Sequence, residues 1–306
     1  MGKTAISLYF AEEISAEIIS CDSMQVYRGM DIGTAKATKS ERERIPHHLL
    51  DIIEPGASFS VSVYQGLART AIADITSRGK LPLLVGGSGL YLRAALMPYD
   101  FTPEEVDESF RAELYRRAEG EGASELYREL ETIDPEAAAK LHVNDTKRIV
   151  RALEVYYISG ERISEYAKKT ANAKALYDIS RIGLDRERAS LYRRIDARVD
   201  AMITEGLVEE VRLLYRSGVI KKQGSASTST SGQALGYKEL IPYIEGQISL
   251  EVAVANLKQA TRRYATRQLT WFRREEGINW YHLDEDDSPG EIARRIADGL
   301  RDREVI

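Results

Sequence analysis

The stretch MGKTAISLYFAEEISAEIISCDSMQVYRG, residues 1–29, decides the fold. It opens with Gly2-Lys3-Thr4, passes into a helical pattern from Ala5 to Glu13, and continues as an apolar, β-branched run, Glu17 to Cys21, that ends on Asp22. Glycine, lysine and a hydroxyl residue at a helix start match the second half of a phosphate-binding loop. There, backbone N–H groups hold an anion, lysine adds charge and the hydroxyl binds Mg2+. A strand and a further glycine precede these residues in the full pattern, and neither stands ahead of Gly2. Alone, Gly2-Lys3-Thr4 reads as an ordinary helix start; the residues that follow turn the reading toward phosphate. The reading frame ahead of Met1 is expected to encode a β-rich run with a glycine five positions before Gly2. Asp22 at the carboxyl end of a strand stands where doubly wound sheets place their ligands, as a base or metal partner, or else caps the next segment.

Outward from that stretch the pattern repeats. Leu49 to Ile53 and Leu81 to Val85 are further apolar runs, with helical periodicity over Val61 to Ser77 between them. Runs that are apolar throughout are strands covered on both faces. The expected fold is therefore α/β: a P-loop NTPase-like parallel sheet with helices on both faces. From about Phe101 to Ala175 the chain becomes charged and helical; Asp134-Pro135 starts one helix, and Asn144-Asp145 caps another that stops at Gly160. This segment, 101–175, reads as an all-helical insertion domain between the two parts of the core, 1–100 and 176–306. Asp178 to Leu184 returns the chain to the sheet, and helices follow over about Arg188 to Ser217 and Leu250 to Arg274. Gly224 to Gly232, made of small polar residues, reads as a surface loop.

Composition bounds the function. The chain has 306 residues, 43% hydrophobic and 30% charged, as ordinary globular proteins do. Its apolar runs fall far short of the roughly 18 residues of a membrane span. The start lacks an export signal and Cys21 is the single cysteine, so a cytoplasmic protein without a disulfide is expected. A net charge of −5 argues against nonspecific coating of nucleic acid and leaves a local basic surface open. No histidine or cysteine stands at zinc-ligand spacing. Cys21 reads as a small buried residue.

Six separated motifs, in order, resemble the tRNA dimethylallyltransferases, also called tRNA isopentenyltransferases. They are Asp22-Ser23-Met24-Gln25-Val26-Tyr27 through Lys36, Ile45-Pro46-His47-His48-Leu49, Gly86-Gly87-Ser88-Gly89-Leu90-Tyr91, Asn144-Asp145 with Arg148 and Arg151 to Val155, Gly236-Tyr237-Lys238-Glu239, and Arg267-Gln268-Leu269-Thr270-Trp271-Phe272-Arg273. The resemblance spans nearly the whole chain. It implies transfer of a dimethylallyl group from its diphosphate to N6 of the adenosine on the 3′ side of the anticodon, with Mg2+ and tRNA as partners.

The resemblance also assigns roles. Asp22 would take the proton from the weakly nucleophilic amine. Lys3, the backbone at Gly2 and Mg2+ on Thr4 would meet the charge growing on the leaving diphosphate. Ser88, where the family usually has threonine, would lie near the reacting groups, although its glycine-rich turn is otherwise an ordinary strand-to-helix connection. Arg194 matches an arginine the family places near the diphosphate; a solvated helix face is the other reading. Residues matching Asp22, Ser23, Met24, Gln25, Ser88, Arg111, Lys147, Arg148, Ile149, Val150, Arg151, Gln233 through Gly236, Tyr237 and Lys238, and Thr266 through Arg273 face tRNA in the family. The charges agree: Lys258, Arg262, Arg263, Arg267, Arg273 and Arg274 make one helix basic. Gln268 belongs to this stretch, and Trp271 and Phe272 stack on bases or pack in the core. A catalytically impaired RNA-binding protein and an adenylate prenyltransferase are the competing readings. A monomer is expected.

Overall fold

A computed structural model of the chain describes residues 2–99, 101, 108–120, 122–171, 174–220 and 231–303. They form two compact units, Met1–Ala95 with Ile179–Ile306, and Leu96–Asp178. The first unit opens with α1 Lys3–Glu13, β1 Ala16–Cys21, α2 Lys39–Arg44, β2 His47–His48, α3 Val61–Ser77, β3 Leu81–Gly86 and α4 Gly89–Leu96. The second holds α5 Glu108–Gly120, α6 Ala123–Ile133, α7 Pro135–Ala138, α8 Thr146–Ser159 and α9 Ile163–Ala171. The chain then returns to the first through β4 Arg181–Arg186, α10 Arg188–Glu205, α11 Leu207–Arg216, a 3-10 turn Ser231–Gln233, α12 Ile241–Ile244, α13 Leu250–Phe272, β5 Ile278–Leu283 and α14 Pro289–Arg301.

β1 lies between β2 and β3 and runs parallel to both. All six of its residues are buried, and alternate ones face opposite ways. Ala16 and Ile18 pack with Leu8 and Ala11 of α1. Glu17 and Cys21 turn to the other face, where α3 brings Tyr64 to the Cys21 thiol and Arg78, just past its end, to the Glu17 carboxylate. Helices therefore cover both faces, as the uninterrupted apolar run requires. Cys21 is wholly buried and its thiol is pushed up to about 12, as a packed core residue should be.

The strand expected over Leu49–Ile53 is instead the short β2, two residues earlier. Leu49 and Asp51 have φ of 63° and 54°, which no strand admits. Ile52 and Ile53 donate their N–H groups to Val26 O rather than to a sheet neighbour. The helix expected over 188–217 breaks at Gly206, whose φ of 106° only glycine adopts easily. Residues 221–230, with most of the expected Gly224–Gly232 loop, fall outside the described residues.

β3 and β4 each have one strand partner, β1 and β5 respectively. A cavity of about 260 Å³ runs between them, touched by Leu83, Leu84, Val85 and Gly86 on one side and Ile182, Gly183, Leu184, Asp185 and Arg186 on the other. Successive side chains of a strand point to opposite faces, so a cavity touched by consecutive residues lies along the strand's hydrogen-bonding edge. Ile6 and Phe10 of α1 and Leu269 and Phe272 of α13 also line it. The first unit thus carries two parallel ribbons whose open edges share one apolar slot, which no strand among the described residues fills.

Glu17 anchors the amino end of β1. It is 5% exposed, receives Arg78 Nη2 at 2.8 Å and approaches His48 Nε2 at 2.7 Å. Hydrogen bonding from Arg78, aided by His48, pulls its carboxyl down to about 2 despite burial. A depressed carboxylate adds stability above its unfolded pKa and loses it as pH falls through the folded one. Glu17→Gln should cost about 2 kcal/mol at pH 7, a figure discounted for the partly exposed Arg78. The gap to the parent should close between about pH 4.5 and pH 2 in denaturant titrations.

The second unit runs from Leu96 to Asp178. Asp134 caps α7 by accepting from Ala137 N, and Gly160 closes α8 with φ of 73°. Leu114, Leu126, Leu130, Ile149, Val150 and Leu153 form its core. Glu154 is wholly buried there and holds Arg111 through two bonds of 2.9 Å and Arg151 through one of 2.7 Å.

Candidate active site

Three elements of the first unit deliver their ends, and two helices their flanks, to one cleft of about 400 Å³. Lys3 and Thr4 come from the first turn of α1, and Asp22 to Gln25 follow directly from the tip of β1. Gly86 and Gly87 close β3 beside Asp22, and Arg198 reaches in from α10. Thr261, Tyr264, Arg267 and Gln268 supply the α13 wall. Gln268 packs closely on Gly87: its side-chain amide donates to Gly87 O at 3.0 Å, and a Cβ on Gly87 would lie 2.0 Å from it, so any larger residue would displace that amide. The volume falls within the ordinary range of small-molecule sites.

The electrostatics of the cleft centre on Asp22 and Lys3. Asp22 Oδ1 accepts from Met24 N at 2.9 Å. Burial raises its pKa, while that hydrogen bond and the Lys3 charge pull the other way. Burial also lowers the pKa of Lys3, with Asp22 opposing and the neighbouring Arg198 reinforcing the change. Lys3 and Arg198 point into open space, so water reaches them although protein surrounds them. The result is two cations at a helix start, a carboxylate across from them and a volume between. An anion entering beside Lys3 and Arg198 finds charge and free backbone donors in place.

Several expected residues take these positions, and others do not. Gly2 precedes α1 with φ of 108°, and Lys3, Thr4, Asp22, Ser23, Met24, Gln25, Gly236, Lys238, Arg267 and Gln268 line the cleft. Ser88 does not line it; its hydroxyl accepts from Ser23 N at 3.4 Å, bracing the segment that carries Asp22. Arg194 lies outside the lining, exposed and near Arg186, whereas Arg198 lines the cleft. The two arginines differ by four residues, hence by only about 40° around the helix, so periodicity could not separate them. Their position along the axis does.

Three residues expected against RNA are core instead. Tyr237 is wholly buried, and Ile149 and Val150 are buried in the second unit, so their side chains meet only protein. Trp271 packs on the turn after β3, where a Cβ at Gly89 would come within 2.3 Å of its ring, with Arg93 over its face. It therefore follows the packing alternative. The side chain of Gln233 falls outside the described residues. Lys147 and Arg148 are exposed, and Arg111 and Arg151 are partly exposed around Glu154.

The basic helix is only partly free. Lys258 pairs with Asp200 and Arg262 with Asp196, both acids on α10, and Arg273 pairs with Asp185 of β4. Arg263, Arg267 and Arg274 are exposed, without an acidic partner among the described residues.

A parallel sheet with helices on both faces, a cationic helix start and a strand-tip carboxylate across one cleft make a site able to hold an anionic group beside a carboxylate. The family model described as IPP transferase matches residues 25–275. The tRNA dimethylallyltransferase of Geobacillus thermodenitrificans is 47% identical over 305 residues, covering 98% of this chain and 94% of that protein. That of Carboxydothermus hydrogenoformans is 49% identical over 281 residues, covering 92% and 88%. Among solved structures, the tRNA isopentenylpyrophosphate transferase of Bacillus halodurans is 42% identical with a TM-score of 0.69, covering 99% of this chain and 94% of that one. A eukaryotic dimethylallyltransferase acting on tRNA is 27% identical with a TM-score of 0.83, covering 99% and 76%. The chain belongs to the IPP transferase family.

Proposed function

We propose that this protein transfers a dimethylallyl group from dimethylallyl diphosphate to N6 of the adenosine on the 3′ side of the anticodon in tRNA. The observation that carries the reading is the shared cleft of Asp22 with Lys3 and the α1 start. The N6–C1 bond forms as the C1–O bond to diphosphate breaks, and the amine proton passes to the Asp22 carboxylate. Lys3, Arg198 and the first N–H groups of α1 receive the charge that accumulates on the departing diphosphate. No phosphoryl group changes hands.

Mg2+ fits these residues in a limited way. No cluster of three or more acidic, histidine or cysteine ligands occurs among the described residues. Thr4 offers a hydroxyl to the cleft, which suits an ion that keeps waters and takes most of its remaining ligands from a substrate's phosphates. Bound there, Mg2+ would neutralise diphosphate charge.

RNA contact falls to Arg263, Arg267 and Arg274 on and after α13, and in the second unit to Arg111, Lys147, Arg148 and Arg151. An adenosine in a single-stranded loop unstacks at low cost, which suits a nucleobase that must enter a cleft. No helix among the described residues is long and apolar enough to cross a membrane. The test is purified protein with labelled dimethylallyl diphosphate and Mg2+, offered tRNA, AMP or neither. Label in tRNA alone is the expected result. Label in AMP would move the function to a free nucleotide, and tRNA binding without transfer would leave an RNA-binding protein.

A further inference from the structure

Four donors converge on one carboxylate at the rim of the cleft, and no motif reading predicts it. Glu210 lies in the first turn of α11. Its Oε2 accepts from Asp31 N at 3.0 Å and Ile32 N at 2.8 Å; its Oε1 accepts from Gly33 N at 3.0 Å and the Tyr237 hydroxyl at 2.6 Å. Consecutive backbone N–H groups aimed at one point form an anion nest, which in other proteins receives phosphate. Here a side chain from a distant helix fills it.

The nest joins two walls of the cleft. Gly33, Thr34 and Ala35 line one, and Ala234, Leu235 and Gly236 line the other. Gly33 lies directly beneath the Tyr237 ring, where a Cβ would come within 2.5 Å of a ring carbon. The first loop is also held from behind: the Gln25 amide donates to Thr34 O at 3.1 Å, and buried Lys36 binds Asp31 at 2.6 Å. The two walls cannot part without breaking charge-assisted bonds at Glu210, which are roughly twice as strong as neutral ones. Neither wall includes Lys3 or Thr4.

We propose that Glu210 is a positioning residue that sets the opening through which the acceptor nucleotide reaches Asp22, by clamping the Asp31–Ala35 loop to the Gly236–Tyr237 turn. This rests on the functional reading above. Glu210→Gln keeps the shape, removes the charge and sets an NH2 against backbone donors. It should raise KM for tRNA about tenfold or more, as loss of charged hydrogen bonds does, with kcat within about threefold. Amide hydrogen exchange at residues 31–33 should speed up, while calorimetric affinity for inorganic pyrophosphate with Mg2+ stays within about twofold. Tyr237→Phe removes one donor of the four and should give a smaller rise in KM, of about twofold to fourfold; it carries the test should the glutamine variant fail to fold. An unchanged KM for tRNA beside faster exchange overturns the proposal, as does a parallel loss of pyrophosphate affinity, which would mark general loosening. Failure of the functional reading shows separately, as parent protein that labels no tRNA.

Discussion

Asp22→Ala is expected to lower transfer to tRNA by about two to four orders of magnitude, the range that general bases supply, while tRNA affinity stays within a few fold. The carboxylate sits at the tip of a wholly buried strand and accepts from Met24 N, so its position is fixed before any substrate arrives. Asp22→Asn is the sharper variant, because it retains an acceptor for Met24 and removes only the charge. The pH profile gives a second handle. Burial raises the pKa of Asp22, and the base acts ionised, so transfer should rise with pH through an acid limb above the usual carboxylate range. Lys3 opposes that rise, so Lys3→Met should move the limb higher still. A limb that ignores both substitutions, or a collapse of tRNA affinity in Asp22→Ala, would remove the assignment of Asp22 as base.

Extending the chain ahead of Met1 with an apolar strand of about six residues and a glycine-containing turn should raise the melting temperature by roughly 3–5 °C, the shift that about 2–3 kcal/mol gives in a chain this size. The slot between β3 and β4 already presents apolar walls and two open ladders in one cavity, and its lining includes Lys3, next to the point where an added strand would join α1. Such a strand would bond on both sides at once and bury its side chains against α1 and α13. An extension of equal length carrying lysine and proline at alternate positions is the control. Equal melting temperatures for the two would show that the slot does not accept a strand.

Much of this was legible in the sequence because the chemistry was local. The apolar run Glu17 to Cys21 announced a strand covered on both faces, and Asp22 stood at its tip, so the centre of the site could be located from a few consecutive residues. Asp134-Pro135 and Gly160 marked helix ends for equally local reasons. What escaped depends on partners far apart in the chain. Leu49 and Asp51 look like strand residues until the left-handed backbone needed to present Asp51 to Lys36 and Arg42 is seen. Tyr237 resembles an exposed aromatic in a polar motif, and its burial depends on Gly33 under its ring and on Glu210, 27 residues earlier, at its hydroxyl. Arg194 and Arg198 share a helix face, and the choice between them is made by how far along its axis the cleft lies.

The pairing of the α13 segment with acids of α10 and β4 changes how RNA affinity should respond to salt. A segment presenting all six cations from Lys258 to Arg274 to phosphates would displace a counterion at nearly every contact, and its affinity would fall steeply as ionic strength rises. Lys258, Arg262 and Arg273 have already traded their counterions for Asp200, Asp196 and Asp185, leaving three arginines to release them. At roughly 0.7 per phosphate for single-stranded RNA, that segment contributes a log–log slope of about −2 instead of about −4. Most of its association with a loop should therefore persist at ionic strengths that strip a uniformly basic helix from nucleic acid.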